Sequence, residues 1–78
     1  MTLKELIRGQ SARIEQVDST QPGVVRLMVL GLIEGAEVQY ENAAIGGDPM
    51  EISVYGTAIS VRRQQADHFR ISPITPNV

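Results

Sequence analysis

The chain has 78 residues, of which 42% are hydrophobic, and a net charge of −2. A chain of this size forms one small domain, and its apolar content is too high for a disordered protein. The slight acidic excess argues against nucleic-acid binding, because phosphate contacts require a basic surface. The absence of cysteine excludes disulfides and thiolate metal sites, and it is compatible with a cytoplasmic protein.

The first predicted element is a short N-terminal helical turn. Thr2 and Glu5 have the spacing of a capping box, Leu3 and Leu6 follow on one face, and Gly9 ends the turn. Charged residues interrupt this segment, and no apolar run in the chain approaches the length of about 20 residues that spans a membrane. We therefore expect neither a signal peptide nor membrane insertion.

A strand and a helix follow. Ala12 and Ile14 alternate with charged residues and predict a strand over Ser11–Val17, with a bulge or an end at Val17. After a polar loop, the apolar residues of 24–30 have helical spacing.

Two glycines mark a tight corner after this helix. Gly31 predicts the end of the helix, because glycine enters positive φ without a Cβ clash. Gly35 then leads into an alternating pattern that begins at Ala36. The corner fixes how the helix sits on the sheet that follows.

Alternating apolar and polar side chains predict three further strands, which are joined by glycine-containing turns. These strands cover residues 36–41, 50–55 and 59–61. Residues 62–67 lack alternation and predict a helical turn, whereas Phe69 and Ile71 predict a closing strand. The prolines beyond Ile71 predict a flexible tail over about residues 73–78.

Five short strands in one domain, residues 1–78, predict an all-β fold built as a small β-barrel with short helical additions. Closure of the barrel would remove the exposed strand edges. The helix at 24–30 would then be an insertion that caps one open end.

The chain offers few residues for catalysis or metal binding. His68 is the single histidine, and its position beside Phe69 favours a histidine at the rim of the barrel. Asp48 and Glu51 lie near one turn, where solvation is the better interpretation than a weak cation site. The glycines before Asp48 favour a hairpin connection over a phosphate loop. We predict no catalytic residue, no metal site and no cofactor.

Two groups remain as candidates for partner binding. Arg62 and Arg63, with Arg70 nearby, form the single basic cluster; they either pair with an acidic partner or are solvated charges beside a turn. The second group is apolar. Val25, Val29 and Ile33 belong to the helix and its corner, and they form a partner-binding patch if they are exposed, or part of the core if they are not.

The order of these elements resembles the FeoA family, the small cytoplasmic component of bacterial ferrous iron uptake. The residues that carry the resemblance span nearly the whole chain. They are Leu3, Leu6 and Gly9; Arg26 and Leu27; Leu30-Gly31-Leu32 and Gly35; Gly47-Asp48-Pro49; Ile52, Val54 and Gly56; Ile59, Val61 and Arg62; and Ala66, Phe69 and Ile71. Phe69 stands where the family more usually has isoleucine, which we interpret as a change within the core.

The resemblance implies an SH3-like barrel and a non-enzymatic accessory protein. The implied partner is the membrane iron transporter FeoB, at its cytosolic G-protein region. The alternative is a metal- or ligand-sensing SH3-like domain, as found at the C-terminus of iron-dependent repressors. Nucleic-acid binding is disfavoured by the acidic balance and the three aromatic side chains. The oligomeric state is left open.

Overall fold

The computed structural model describes residues 1–75, which form one antiparallel sheet with the strand order β4-β3-β2-β1-β5. The strands are β1 (Ser11–Val17), β2 (Glu37–Ala43), β3 (Met50–Val54), β4 (Thr57–Val61) and β5 (Phe69–Ile74). A 3₁₀ turn (Leu3–Glu5) precedes β1, helix α1 (Val24–Val29) joins β1 to β2, and α2 (Arg63–Ala66) joins β4 to β5. The predicted fold class, all-β with about five strands and short helical additions, is confirmed.

The strands form because apolar and polar side chains alternate along them. In β1, Ala12 and Ile14 are buried while Arg13 and Glu15 are exposed, so one face of the strand lines the core. The 3₁₀ turn adds Leu3 to this core. The predicted core position of the chain's only phenylalanine is also confirmed, because Phe69 at the start of β5 is fully buried.

Two irregularities bend the sheet. The pairing of β1 with β5 shifts between Ile14 and Gln16, slightly before the predicted bulge at Val17. The pairing of β2 with β3 shifts between Tyr40 and Asn42. Each bulge increases the local twist, which curves a five-stranded sheet towards a barrel.

The barrel is not closed by hydrogen bonds in the way that the strand count predicted. Within residues 1–75, β4 pairs only with β3, and β5 pairs with β1 and with the N-terminal residues. The N–H of Ile71 donates to the carbonyl of Met1 at 2.9 Å. Thr2 forms an isolated antiparallel β-bridge with Arg70. The chain passes from β4 to β5 through the short α2, which packs against the 3₁₀ turn.

The C-terminal prediction needs a correction. The strand β5 runs through Ile74 and pairs there with Ser11, so Pro73 and Ile74 belong to the sheet and not to a tail. Pro73 fits this place because β5 is an edge strand, where a missing N–H costs no ladder hydrogen bond. Residues 76–78 of the predicted tail lie outside the described residues.

The turn between β3 and β4 also differs from the prediction. The strand ends at Val54, and Tyr55 lies in a two-residue turn with Gly56. Tyr55 has φ 50° and Gly56 has φ 77°. Positive φ at both residues is the geometry of a type I′ turn, which a bulky first residue adopts with strain.

Replacing Tyr55 with asparagine should raise the free energy of unfolding by about 0.5 kcal/mol, because asparagine is favoured at this position of a type I′ turn. Tyr55→Phe should be close to neutral, whereas Tyr55→Val should be destabilising because a β-branched residue resists positive φ. Urea unfolding of the three variants measures the order. Equal stability of the asparagine and valine variants would contradict this account of the turn.

Candidate interaction surface

Helix α1 presents opposite faces to the core and to solvent. Val24 and Leu27 are fully buried, whereas Val25 is 56% exposed and Val29 is 81% exposed. Residues four apart lie on the same face of a helix, so Val25 and Val29 are neighbours. Ile33 in the following corner is 42% exposed. Val25, Val29 and Ile33 could bind a partner only if their side chains were exposed, and the structure shows that they are. We call these three residues the α1 surface.

A Schellman motif ends α1 and fixes the start of the corner. The N–H of Gly31 donates to the carbonyl of Met28, and the N–H of Leu32 donates to the carbonyl of Leu27, both at 3.0 Å. Gly31 has φ 124°, as the sequence pattern predicted for a glycine that ends a helix. The apolar contact that accompanies this motif is supplied by Leu27 and Leu32, which are both fully buried.

The rest of the corner is tied to the sheet. The N–H of Gly35 donates to the carbonyl of Ile14 at 2.8 Å, and the N–H of Ile14 donates to the carbonyl of Ala36 at 2.9 Å. A Cβ on Gly31 would lie 3.4 Å from both Val54 Cγ1 and Tyr55 Cδ2, so the helix end packs against the β3–β4 turn. The α1 surface is consequently held in a defined position relative to the sheet.

Sequence reasoning missed two exposed apolar residues beside the α1 surface. Leu30 is the C-cap residue of α1 and is about half exposed. Tyr55 is 72% exposed, and its ring lies against Gly31. The signal for Tyr55 was the dipeptide Tyr55-Gly56 between two alternating segments, which is the spacing of a hairpin turn. Exposed Arg26 and Glu34 add charged groups at the border of the patch.

The two arginines predicted for partner binding have different surroundings. Arg62 is exposed, and its guanidinium makes no hydrogen bond or ion pair with any residue in the range 1–75. Arg63 is half-buried and uses its donors inside the protein. Its Nε donates to the carbonyl of Gly47, Nη1 to the carbonyl of Lys4 at 3.2 Å, and Nη2 to Tyr40 Oη at 3.2 Å.

Arg63 therefore ties three parts of the fold together: the 3₁₀ turn, β2 and the β2–β3 loop. Its backbone N–H also donates to Asp48 Oδ1 at 3.0 Å, so Asp48 caps α2 instead of standing free at the turn. The guanidinium carbon lies 6.0 Å from the centre of the Tyr40 ring, within cation–π range. Partner binding by Arg63 stays a prediction, and the structure gives this residue an internal role.

Replacing Arg63 with methionine should lower the free energy of unfolding by about 2 kcal/mol, because three acceptors lose a charged donor while the apolar stem is kept. Arg62→Met is the matched control and should change stability by less than about 0.5 kcal/mol, as expected for an exposed side chain. Denaturant unfolding of both variants measures the difference. Similar losses for the two variants would contradict the internal role of Arg63.

A shallow polar cleft lies on another part of the molecule, where Asp18, Asp67, His68 and Arg70 come together near Thr2. The Asp18 carboxylate accepts from the hydroxyl and the N–H of Thr20 and from the side chain of Gln21. These hydrogen bonds lower the pKa of Asp18 below its ordinary value. The carboxylate is thus used to hold its own loop.

A similar effect operates at the N-terminus. The backbone N–H of Thr2 donates to Glu5 Oε1 at 2.9 Å, the reciprocal half of the predicted capping box. This bond lowers the pKa of Glu5. Within residues 1–75, no three His, Cys, Asp or Glu side chains converge in a metal-binding group, and no helix is long and apolar enough to cross a membrane.

The five-stranded antiparallel sheet, its bulges and its short helices define a small SH3-like barrel domain. Comparison with known proteins identifies the family. The family model of the FeoA domain matches residues 1–73, and the chain belongs to the FeoA family. No protein with a curated description matches the chain.

Solved structures of similar proteins agree with this assignment. FeoA from Chlorobium tepidum is 33% identical with a TM-score of 0.87, over 100% of this chain and 74% of that one. FeoA from Stenotrophomonas maltophilia, solved with zinc and described as an SH3 domain protein, is 30% identical with a TM-score of 0.79, over 92% of this chain and 89% of that one. Iron(II) transport protein A from Clostridium thermocellum is 26% identical with a TM-score of 0.86. The match covers 95% of this chain and 46% of that longer protein.

The same fold occurs in T. acidophilum IdeR, which has a TM-score of 0.81 at 20% identity, over 95% of this chain and 34% of that one. At this identity the likeness shows the fold alone.

Proposed function

We propose that this chain is a non-enzymatic accessory protein of ferrous iron transport that binds the cytosolic G-protein region of the membrane transporter FeoB. Two observations on relatives support the iron-transport part. The Clostridium thermocellum relative is named an iron(II) transport protein, and the Stenotrophomonas maltophilia relative is described as a proposed activating factor of bacterial ferrous iron transport. A cytoplasmic location follows from this proposal, because the proposed partner region is cytosolic.

The α1 surface is the observation that carries the binding proposal. Val25 and Val29 leave apolar side chains in water on a helix whose opposite face is already packed. Exposing such side chains together costs free energy that a partner recovers by covering them. Arg26 and Glu34 border the patch, and an apolar centre with a polar rim is the usual anatomy of a protein interface.

Rigidity adds to this argument. The Schellman motif and the hydrogen bonds of the corner hold α1 against the sheet in the free protein. A partner that binds the α1 surface therefore has little backbone ordering to impose, and more of the contact energy appears as affinity. The guanidinium of Arg63 is used inside the fold, so we assign the main contact to the α1 surface and leave Arg62 to an auxiliary role.

Calorimetric titration of the chain against the isolated cytosolic G-protein region of FeoB, with and without bound guanine nucleotide, tests the proposal. We expect saturable binding, and we expect deletion of the chain to lower FeoB-dependent uptake of ferrous iron in cells. Absence of binding in every nucleotide state, together with unchanged uptake, would contradict it.

The repressor-like alternative, metal or ligand sensing, has weaker support. The likeness to T. acidophilum IdeR shows the fold alone. Two carboxylates are already used inside the protein, because Asp18 accepts hydrogen bonds within its own loop and Asp48 accepts one from the backbone N–H of Arg63 at the start of α2. Zinc was bound in the structure of the Stenotrophomonas maltophilia relative. Anaerobic titration with ferrous iron separates the two functions, because a sensor requires saturable binding to the chain alone.

A further inference from the structure

We propose that two copies of this chain pair through the outer edge of β4 and form a symmetric, reversible dimer. The inference rests on the edge of the sheet and is independent of the proposed contact with FeoB. Strand edges attract other strands because their N–H and C=O groups lack partners. A second strand can pair with β4 only through backbone groups that point outwards and that no other part of the protein covers.

The register of the β3–β4 hairpin identifies the outward groups. The turn has two residues, so Val54 and Thr57 form a hydrogen-bonded pair and such pairs alternate along the ladder. Ala58 and Ser60 occupy the non-hydrogen-bonded positions, opposite Ser53 and Glu51. Their backbone N–H and C=O groups therefore point away from β3, towards the open side of the strand.

Nothing in β4 protects this edge. Thr57, Ala58 and Ser60 are exposed, and the strand contains no charged residue, no proline and no bulge. The other edge of the sheet is protected by the usual means. There, β5 carries Pro73, and Met1 accepts the hydrogen bond of Ile71.

The sequence of β4 is complementary to a second copy of itself. In an antiparallel pair centred on Ile59, Ala58 of each copy lies opposite Ser60 of the other, and the two pairs exchange four hydrogen bonds. The side chains that meet on the outer face are small and uncharged, so no like charges oppose one another.

The same register brings together two exposed groups at each end of the paired strands. Arg62 of one copy lies opposite Gly56 of the other, beside the ring of Tyr55 in the same turn. Arg62 continues the extended path of β4, with φ −66° and ψ 142°, and its guanidinium has no partner among residues 1–75. A guanidinium over an aromatic ring is a favourable cation–π contact, and the symmetry supplies it twice.

Pairing through one edge strand of each copy buries little surface, so the dimer should be weak. Small interfaces are typical of transient complexes, and we expect a dissociation constant in the micromolar to millimolar range. Sedimentation equilibrium over a wide range of concentrations measures this association. Amide exchange by NMR should show protection of the Ala58 and Ser60 amides that increases with protein concentration.

Ser60→Pro removes one outward donor from each copy and leaves the bonds to β3 in place. Because the dimer loses two hydrogen bonds, its dissociation constant should rise by about tenfold or more. Ser60→Ala keeps the N–H and is the matched control, which should associate like the parent chain. Arg62→Ala tests the end contact independently, should the proline variant fold poorly, and it should also weaken association.

Two results would overturn the proposal. One is a parent chain that stays monomeric at millimolar concentration, with exchange at Ala58 and Ser60 independent of concentration. The other is protection of these two amides only when the G-protein region of FeoB is added, which would assign the edge to a strand of that partner.

Discussion

Replacing Gly31 with valine should lower the free energy of unfolding by about 3 kcal/mol. Gly31 has φ 124°, a conformation that a β-branched residue adopts only with severe strain. The added methyl groups would also press on Val54 and Tyr55, which lie in contact with the Cβ position. In a domain of this size, the loss corresponds to a decrease of roughly 12 °C or more in the unfolding temperature.

Gly9→Val is the matched control for this change. Gly9 also has positive φ, 88°, but a Cβ there would meet no atom within 4 Å. This control therefore carries backbone strain in an exposed loop without the steric contact, and its loss of stability should be clearly smaller. Unchanged thermal stability of the Gly31 variant would show that the corner after α1 is not what positions the helix.

Aspartate at Val25 or Val29 should abolish most of the affinity for the G-protein region of FeoB while the fold stays intact. Both side chains are exposed, so the free protein tolerates the charge. In a complex the carboxylate would be buried without a partner, and we expect a loss of about 30-fold or more, the size of a typical hot-spot substitution. Calorimetric titration of each variant gives this ratio.

The two aspartate variants should have opposite effects on the stability of helix α1. An acid at Val25, in the first turn of α1, is favoured by the helix dipole, whereas an acid at Val29, in the last turn, is mildly disfavoured. A shared loss of affinity therefore reflects the surface and not helix stability. Ile45→Asp is the control, because Ile45 is fully exposed in the β2–β3 loop and should leave binding unchanged. Equal losses at Ile45 would contradict the assignment of the surface.

Much of the fold was predictable because local rules determine it. Alternation in β1 and around Ile52 and Ile59 gave the strands, and helical spacing gave α1 to within one residue of its end at Val29. The predicted end of the helix at Gly31 agrees with the structure, in which this glycine follows the C-cap Leu30 and has positive φ. At these positions a residue's own type and its near neighbours decide the conformation.

The errors occurred where tertiary contacts or pairing decide. Tyr55 continues the alternation of β3, yet the two-residue turn places it at positive φ. Pro73 suggested a tail, but an edge strand accepts proline. Strand count suggested a closed barrel, although the order of the sheet leaves the outer edge of β4 unpaired within residues 1–75.

The sequence identified the apolar and basic residues of the candidate site, but it did not show which of them are exposed and which are used inside the fold. Periodicity left open whether Val25 and Val29 belonged to the core or the surface, because both valines flank the buried stripe of a short helix. Whether these valines are exposed depends on how α1 packs against the sheet, which the sequence pattern does not show. The internal role of Arg63 was not predictable, since its acceptors on Gly47, Lys4 and Tyr40 are far apart in sequence.

NMR chemical-shift mapping tests the central claim most directly. Unlabelled G-protein region of FeoB is added to the isotope-labelled chain, and the shift of each amide and methyl group is followed. We predict that the largest changes occur at Val25, Val29 and Ile33, with little change around His68 and Arg70. Changes confined to the cleft of His68 and Arg70, or no change at saturating partner, would contradict the account.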